Sequence, residues 1–132
     1  MTTLKTRVSR AAAVSLATSC LPVVLYPPIA WADDVVTYEV FSDTVRVANV
    51  EYQTSAGRMA VESVALPWRM DTPVQSVSGP PPDGSQVRAD WRPVAAPRRW
   101  VSVRIIHQDK VICQNTLDIG NATCYGITRR IT

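Results

Sequence analysis

The chain has 132 residues, of which 46% are apolar and 19% charged, with 10 Pro, 5 Gly, 3 Cys and 1 His. That is enough for one small globular domain and excludes a multidomain enzyme. Of the basic residues behind the formal charge of +3, Lys5, Arg7 and Arg10 precede Asp33, so residues 33–132 hold 11 basic and 11 acidic side chains; a neutral domain has no cationic excess to gain from counterion release, and nucleic acid is not expected as a partner.

From Ala11 to Ala32 the chain is uncharged, with a basic stretch before it and Asp33-Asp34 after it. This is the layout of a secretory signal peptide. The apolar region runs from about Ala11 to Leu25, Pro22, Pro27 and Pro28 interrupt or follow it, and Ala30-Trp31-Ala32 places small residues where a signal peptidase reads them. Cleavage before Asp33 is expected, with residues 1–32 as the signal and residues 33–132 as the mature domain. The competing reading is an uncleaved membrane anchor, because a run of this length spans a hydrocarbon core of about 30 Å at about 1.5 Å per residue. Prolines cost about 3 kcal/mol or more inside a helix, and Ser15, Thr18 and Ser19 add little hydrophobic drive. A third reading makes Cys20 a lipidated cysteine, but Ala17 stands where a lipobox wants Leu or Val and the apolar run continues past it. The absence of an Arg-Arg pair favours the general secretory route.

Removing the signal turns three cysteines into the pair Cys113 and Cys124 in an oxidising compartment, where a disulfide is the default. Zinc is the competing use, but an 11-residue separation with only His107 nearby does not supply four ligands.

The mature sequence is written in strands. Val36-Tyr38-Val40, Met59-Val61, Val87-Ala89-Trp91 and Val101-Val103-Ile105 alternate with polar or small residues, the period of a strand with one face buried. Between Val45 and Tyr52 the apolar parity changes, from Val45 and Val47 to Ala48, Val50 and Tyr52, which means either a bulge near Val47-Ala48 or two covered faces. Ser42-Asp43-Thr44, Ser55-Ala56-Gly57, Ser78 to Gly84, Pro93 to Pro97, Gln108-Asp109-Lys110 and Gly120-Asn121 carry turn chemistry. About seven strands in about 100 residues is a sandwich-like count. Three consecutive prolines keep Gly79 to Gly84 out of any central strand; this run is an exposed crossover loop or, alternatively, a polyproline ligand. Cys113 shares strand parity with Val111 and Leu117, and Cys124 lies beyond the Gly120-Asn121 turn, so the bridge is expected to staple the last hairpin.

In order, Val35-Val36-Thr37-Tyr38-Glu39-Val40, Val47-Ala48-Asn49-Val50-Glu51-Tyr52, Ala65-Leu66-Pro67-Trp68 and the pair Cys113 and Cys124 resemble the periplasmic domain of the mycobacterial membrane protein small (MmpS) family across nearly all of residues 33–132. The resemblance implies an immunoglobulin-like β-sandwich without catalytic residues or cofactor. It implies an accessory to a large RND-type (MmpL-like) transporter that exports lipids, lipid-linked glycans or siderophores. Leu66, Pro67 and Trp68 map onto the family's triplet and Cys113 with Cys124 onto its disulfide. The Pro-broken N-terminal segment, the 79–84 loop and Arg98-Arg99 depart from the family's pattern.

Chemistry-bearing residues are sparse. His107 is the only histidine and precedes a turn, the carboxylates are spread evenly, and no phosphate loop or metal-spaced cluster is present. Binding is the better expectation, carried by tryptophans. Trp91 falls on the apolar parity of its strand and belongs in the core, whereas Trp100 falls opposite to Val101 and Val103. Arg98, Arg99 and Trp100 therefore form the candidate partner surface, suited to an anionic lipid headgroup or an acidic protein patch; covering a sheet edge is the structural alternative. Residues 33–71 carry 7 acids and 3 bases and residues 72–132 carry 4 acids and 8 bases, an asymmetry that orients the domain only if the halves do not interleave. Asn121-Ala122-Thr123 matches a glycosylation sequon. The expectation is an exported accessory that binds; a freely secreted binding protein is the alternative.

Overall fold

The computed structural model describes Ser15, residues 17–23 and residues 34–132. It divides the chain into two units, Met1–Ala30 and Trp31–Thr132. Most of the expected signal segment and the expected Ala30-Trp31-Ala32 cleavage site lie outside the described residues; the described residues of the first unit are in neither helix nor strand, and Cys20 is exposed there with a free thiol. No helix among the described residues is long and apolar enough to cross a membrane.

The second unit is all-β. Its strands are β1 (Asp34–Phe41), β2 (Val47–Thr54), β3 (Gly57–Ala65), β4 (Trp68–Val74), β5 (Gln86–Asp90), β6 (Val101–His107), β7 (Lys110–Leu117), β8 (Asn121–Tyr125) and β9 (Arg130–Ile131). They form two sheets, ordered β4-β1-β6-β7-β9 and β3-β2-β5-β8. Ladders are antiparallel except where β9 joins β7. This is the expected immunoglobulin-like sandwich, with β4 and the short β9 raising the strand number above the count of seven.

Alternation decides which side chains meet between the sheets. Val36, Tyr38 and Val40 of β1, Val101, Val103 and Ile105 of β6, and Val87 and Ala89 of β5 with adjacent Trp91 are all buried. The indole Nε1 of Trp91 finds no hydrogen-bond partner among the described residues. Tyr38 ties the layers together: its hydroxyl donates to the Gln53 carbonyl of β2 (2.8 Å) and accepts from the Gln86 N–H of β5 (3.2 Å). Burial pushes its hydroxyl up to about 12, against a smaller lowering by the Gln86 hydrogen bond.

The parity change before Tyr52 has a cause that neither sequence reading named. Ala48, Val50 and Tyr52 point inward in an ordinary alternation. Val45 is buried from the corner preceding β2, which leaves Val47 half-exposed. The irregularity lies across the ladder, where Glu62 and Ser63 of β3 oppose Asn49 alone. Ser63 takes a left-handed conformation (φ 53°) and its N–H donates to Asn49 Oδ1 at 2.8 Å.

Cys113 and Cys124 are bonded, which places this domain's chemistry in an oxidising environment. The bridge does not staple a hairpin, because β7 and β8 belong to different sheets and the disulfide joins the two layers. A bulge is also the reason Val111 departs from Cys113's parity. Ile105 pairs with Cys113 but Ile106 pairs with Val111, so Ile112 is the extra residue and Val111 turns to the other face. Residues 80–83 are exposed in the crossover between sheets, which the buried Gly84 closes by donating its N–H to the Pro80 carbonyl (3.2 Å). First-half strands β1 and β2 lie beside second-half strands β6 and β5, so the two opposite charge excesses interleave.

Candidate functional site

The outer face of the five-stranded sheet carries two consecutive cross-strand rows. Arg69, Glu39, Arg104 and Gln114 stand directly opposite one another on β4, β1, β6 and β7. Glu39 accepts from Arg69 Nη1 at 2.7 Å through Oε1 and from Arg104 Nη1 at 3.1 Å through Oε2, while Arg104 Nε donates to Gln114 Oε1 at 3.1 Å. One carboxylate thus holds two guanidinium groups in place. The next row is Phe41, Ser102 and Thr116, with the two hydroxyls 2.7 Å apart. Arg104 lies over the Phe41 ring, 4.6 Å from its centroid.

These rows end at the corners of the sandwich. Leu66-Pro67, joined by a cis peptide bond, carries the chain from β3 in one sheet to β4 in the other. Trp68 opens β4 opposite Val40 and packs its ring 5.2 Å from that of Tyr52. Pro67, Trp68, Arg69, Glu39, Phe41 and Arg104 line an open groove of about 380 Å³. At the other corner Ser42 holds the β1–β2 turn against the start of β6. Its hydroxyl donates to the Trp100 carbonyl (2.6 Å) and accepts the N–H groups of Thr44 and Val45.

Trp100 is 48% exposed and, with Phe41, Thr44 and Ser102, lines a second groove of about 260 Å³. A third, of about 380 Å³, follows between Thr44, Arg46, Val47, Val94 and Arg99. Phe41 borders the first two grooves and Thr44 the last two. Shared lining joins the three into one track, with Arg69 and Arg104 beside Trp68 and Phe41 at one end, Arg46 and Arg99 beside Val94 at the other, and Asp43 as the one carboxylate of the middle groove.

Its electrostatics are uneven. Arg69 and Arg104 share Glu39, but Arg46, Arg98 and Arg99 form no ion pair among the described residues. Arg99 Nη1 donates only to the Val94 carbonyl (3.2 Å), and Arg98 is held through its backbone N–H, 3.4 Å from Asp118 Oδ2. Uncommitted guanidinium groups beside exposed aromatic rings suit an anionic group joined to an apolar body.

Of the expected partner residues Arg99 and Trp100 line this track and Arg98 does not; of the triplet Pro67 and Trp68 line its other end while Leu66 packs against the core, and Trp100 is exposed and Trp91 buried as anticipated. Sequence reading missed Phe41, Arg46, Val94 and Arg104. Phe41 carried a signal: it is apolar on the wet parity of β1, in line with Thr37 and Glu39. His107 sits at the end of β6 with Nε2 3.9 Å from Asp34 Oδ1, away from the track. Asn121 and Thr123 of the sequon are half-buried in β8.

A second, charged cup of about 200 Å³ lies on the other sheet between Asn49, Glu51, Glu62, Arg88, Asp90 and Arg92. Glu51, Asp90 and Arg92 are ion-paired there, whereas Glu62 and Arg88 form no ion pair among the described residues. Arg58 pairs with Glu51, and Arg92 grips Asp90 at 2.6 Å, holding that carboxyl below its usual range by hydrogen bonding. Among the described residues no group of three or more His, Cys, Asp and Glu could hold a metal ion. No protein-family model matches the chain, and a search of the curated proteins finds no match.

Proposed function

We propose that this chain is an exported, non-catalytic binding protein of the cell envelope that assists an RND-type, MmpL-like transporter in moving lipid or siderophore cargo. The observation that carries the proposal is the track from Trp68 through Phe41 to Trp100, continued by the groove that Arg46 and Arg99 line, neither of them ion-paired among the described residues. An amphiphile with a phosphate or carboxylate headgroup satisfies both halves of that surface at once: guanidinium groups take the anion through paired hydrogen bonds, and the rings cover the adjoining apolar carbons. The segments that resemble the MmpS family support the same reading. A freely secreted binding protein is the second reading, favoured by the small residues of Ala30-Trp31-Ala32 ahead of Asp33.

Deleting the gene tests the accessory role. Loss of a lipid or siderophore from the outer envelope, together with co-purification of a transporter, supports it. Unchanged export with the protein abundant in the medium supports the released binder instead.

A further inference from the structure

The four-stranded sheet ends on β3, whose outer edge is unpaired. Its inner face is also incompletely covered: Met59 is 46% exposed and Val61 and Val64 are half-buried, although all three point toward the other sheet. Of the other edges, β8 is five residues long and its Thr123 carbonyl already accepts from Asn115 Nδ2 (3.2 Å). β4 carries Pro73 in its ladder, and the remaining edge of the five-stranded sheet is the two-residue β9.

The backbone phase of β3 follows from its turn. Ser55-Ala56 is a two-residue hairpin loop that pairs Thr54 with Gly57. In such a loop the flanking residues form a hydrogen-bonded pair, and the ladder then alternates. Gly57, Met59 and Val61 direct their backbone groups to β2, whereas Arg58, Ala60 and Glu62 direct theirs outward.

We infer that β3 pairs with β3 of a second copy of this chain, antiparallel and centred on Ala60. In that register Arg58 stands opposite the second copy's Glu62, Met59 opposite its Val61, and Ala60 opposite its Ala60. Every outward-directed backbone group of Arg58, Ala60 and Glu62 gains a partner. Met59 and Val61 cover each other on the inner face, and two opposite-charge pairs form on the outer one. Glu62 has no ion-pair partner among the described residues, so its complement is free to come from outside. Arg58 would then lie between its own Glu51, 3.1 Å away, and the second copy's Glu62. The neighbouring two-fold registers fail on charge: centring on Arg58 sets Arg against Arg, and centring on Glu62 sets Glu against Glu. The bulge at Ser63 ends the ladder. The product is one sheet with four strands from each copy.

Sedimentation equilibrium of the full chain in detergent tests this. A concentration-dependent dimer is expected. Ala60→Pro removes an outward N–H that β2 does not use, and should give a monomer that melts where the unsubstituted chain does at concentrations too low for it to dimerise. Glu62→Arg should weaken association about tenfold or more, and the double variant Arg58→Glu/Glu62→Arg should restore it. A monomer at every concentration would overturn the proposal. So would a dimer whose affinity is indifferent to both Glu62→Arg and Ala60→Pro, since its interface would lie elsewhere.

Discussion

Cys113 of β7 and Cys124 of β8 face each other from opposite sheets, with Cα atoms 5.8 Å apart and both side chains buried. The bridge clamps the two layers of the sandwich together. Cys113→Ser should cost about 3 kcal/mol, from the unfolded-chain entropy that closing a short loop removes. That is a considerable share of the 5–15 kcal/mol or so that holds a small domain together. Denaturant titration of the oxidised protein and the variant measures it, and equal midpoints would refute the clamp.

Tyr38 makes stability depend on alkaline pH. Its folded hydroxyl titrates at about 12, against 10.0 ordinarily. Below pH 10 the hydroxyl is protonated in both states and its contribution is complete. As pH rises from 10 toward 12 the unfolded chain loses this proton first, and stability falls by about 2 to 3 kcal/mol from this group. Tyr38→Phe should flatten that portion of the curve. It should also lower neutral-pH stability by about 1 to 3 kcal/mol, because the buried Gln86 N–H loses its acceptor.

Wherever one strand face is buried, alternation made the fold legible: Val36-Tyr38-Val40 and Val101-Val103-Ile105 are the two neighbouring ribs of the core. It failed where a single residue resets the phase. Ser63 adopts its left-handed turn only because Asn49 on another strand accepts its N–H, and Ile112 slips the β7 register just before Cys113. Neither depends on local sequence alone. The same holds for the site. Trp100 announced itself by parity, but its placement beside Phe41 depends on Ser42 reaching the carbonyl 58 residues later. The hairpin expected around the disulfide was wrong because Gly120-Asn121 redirects the chain into the second sheet.

Glu39 neutralises the two arginines that flank Phe41. Glu39→Gln should therefore strengthen binding of an anionic amphiphile by several-fold while leaving its uncharged counterpart unaffected. Its stability cost should stay within about 1 kcal/mol, since Arg69 is largely exposed and Arg104 partly so. Isothermal titration and thermal melting on the same preparation give both numbers. Weaker anion binding would show that Glu39 matters for positioning Arg69 and Arg104 more than for restraining their charge.

Trp68 and Trp100 should separate under mutation. Trp68 packs against Tyr52 and the core, so Trp68→Ala should cost about 2 kcal/mol of stability as well as binding. Trp100→Ala should leave stability within about 0.5 kcal/mol and reduce amphiphile affinity by about tenfold. The opposite ranking in melting experiments would place Trp100 in the core.

The Trp68–Phe41–Trp100 track is expected to take an anionic amphiphile. Amide and indole chemical-shift mapping with dihexanoyl phosphatidylglycerol, using dihexanoyl phosphatidylcholine as the uncharged-overall control, tests it most directly. Saturable shifts are expected at Ser42, Thr44, Arg99 and the Trp68 and Trp100 indoles with the anionic lipid, and much weaker ones with the control. Equal responses to both lipids, or shifts confined to the cup around Asn49 and Arg88, would contradict it.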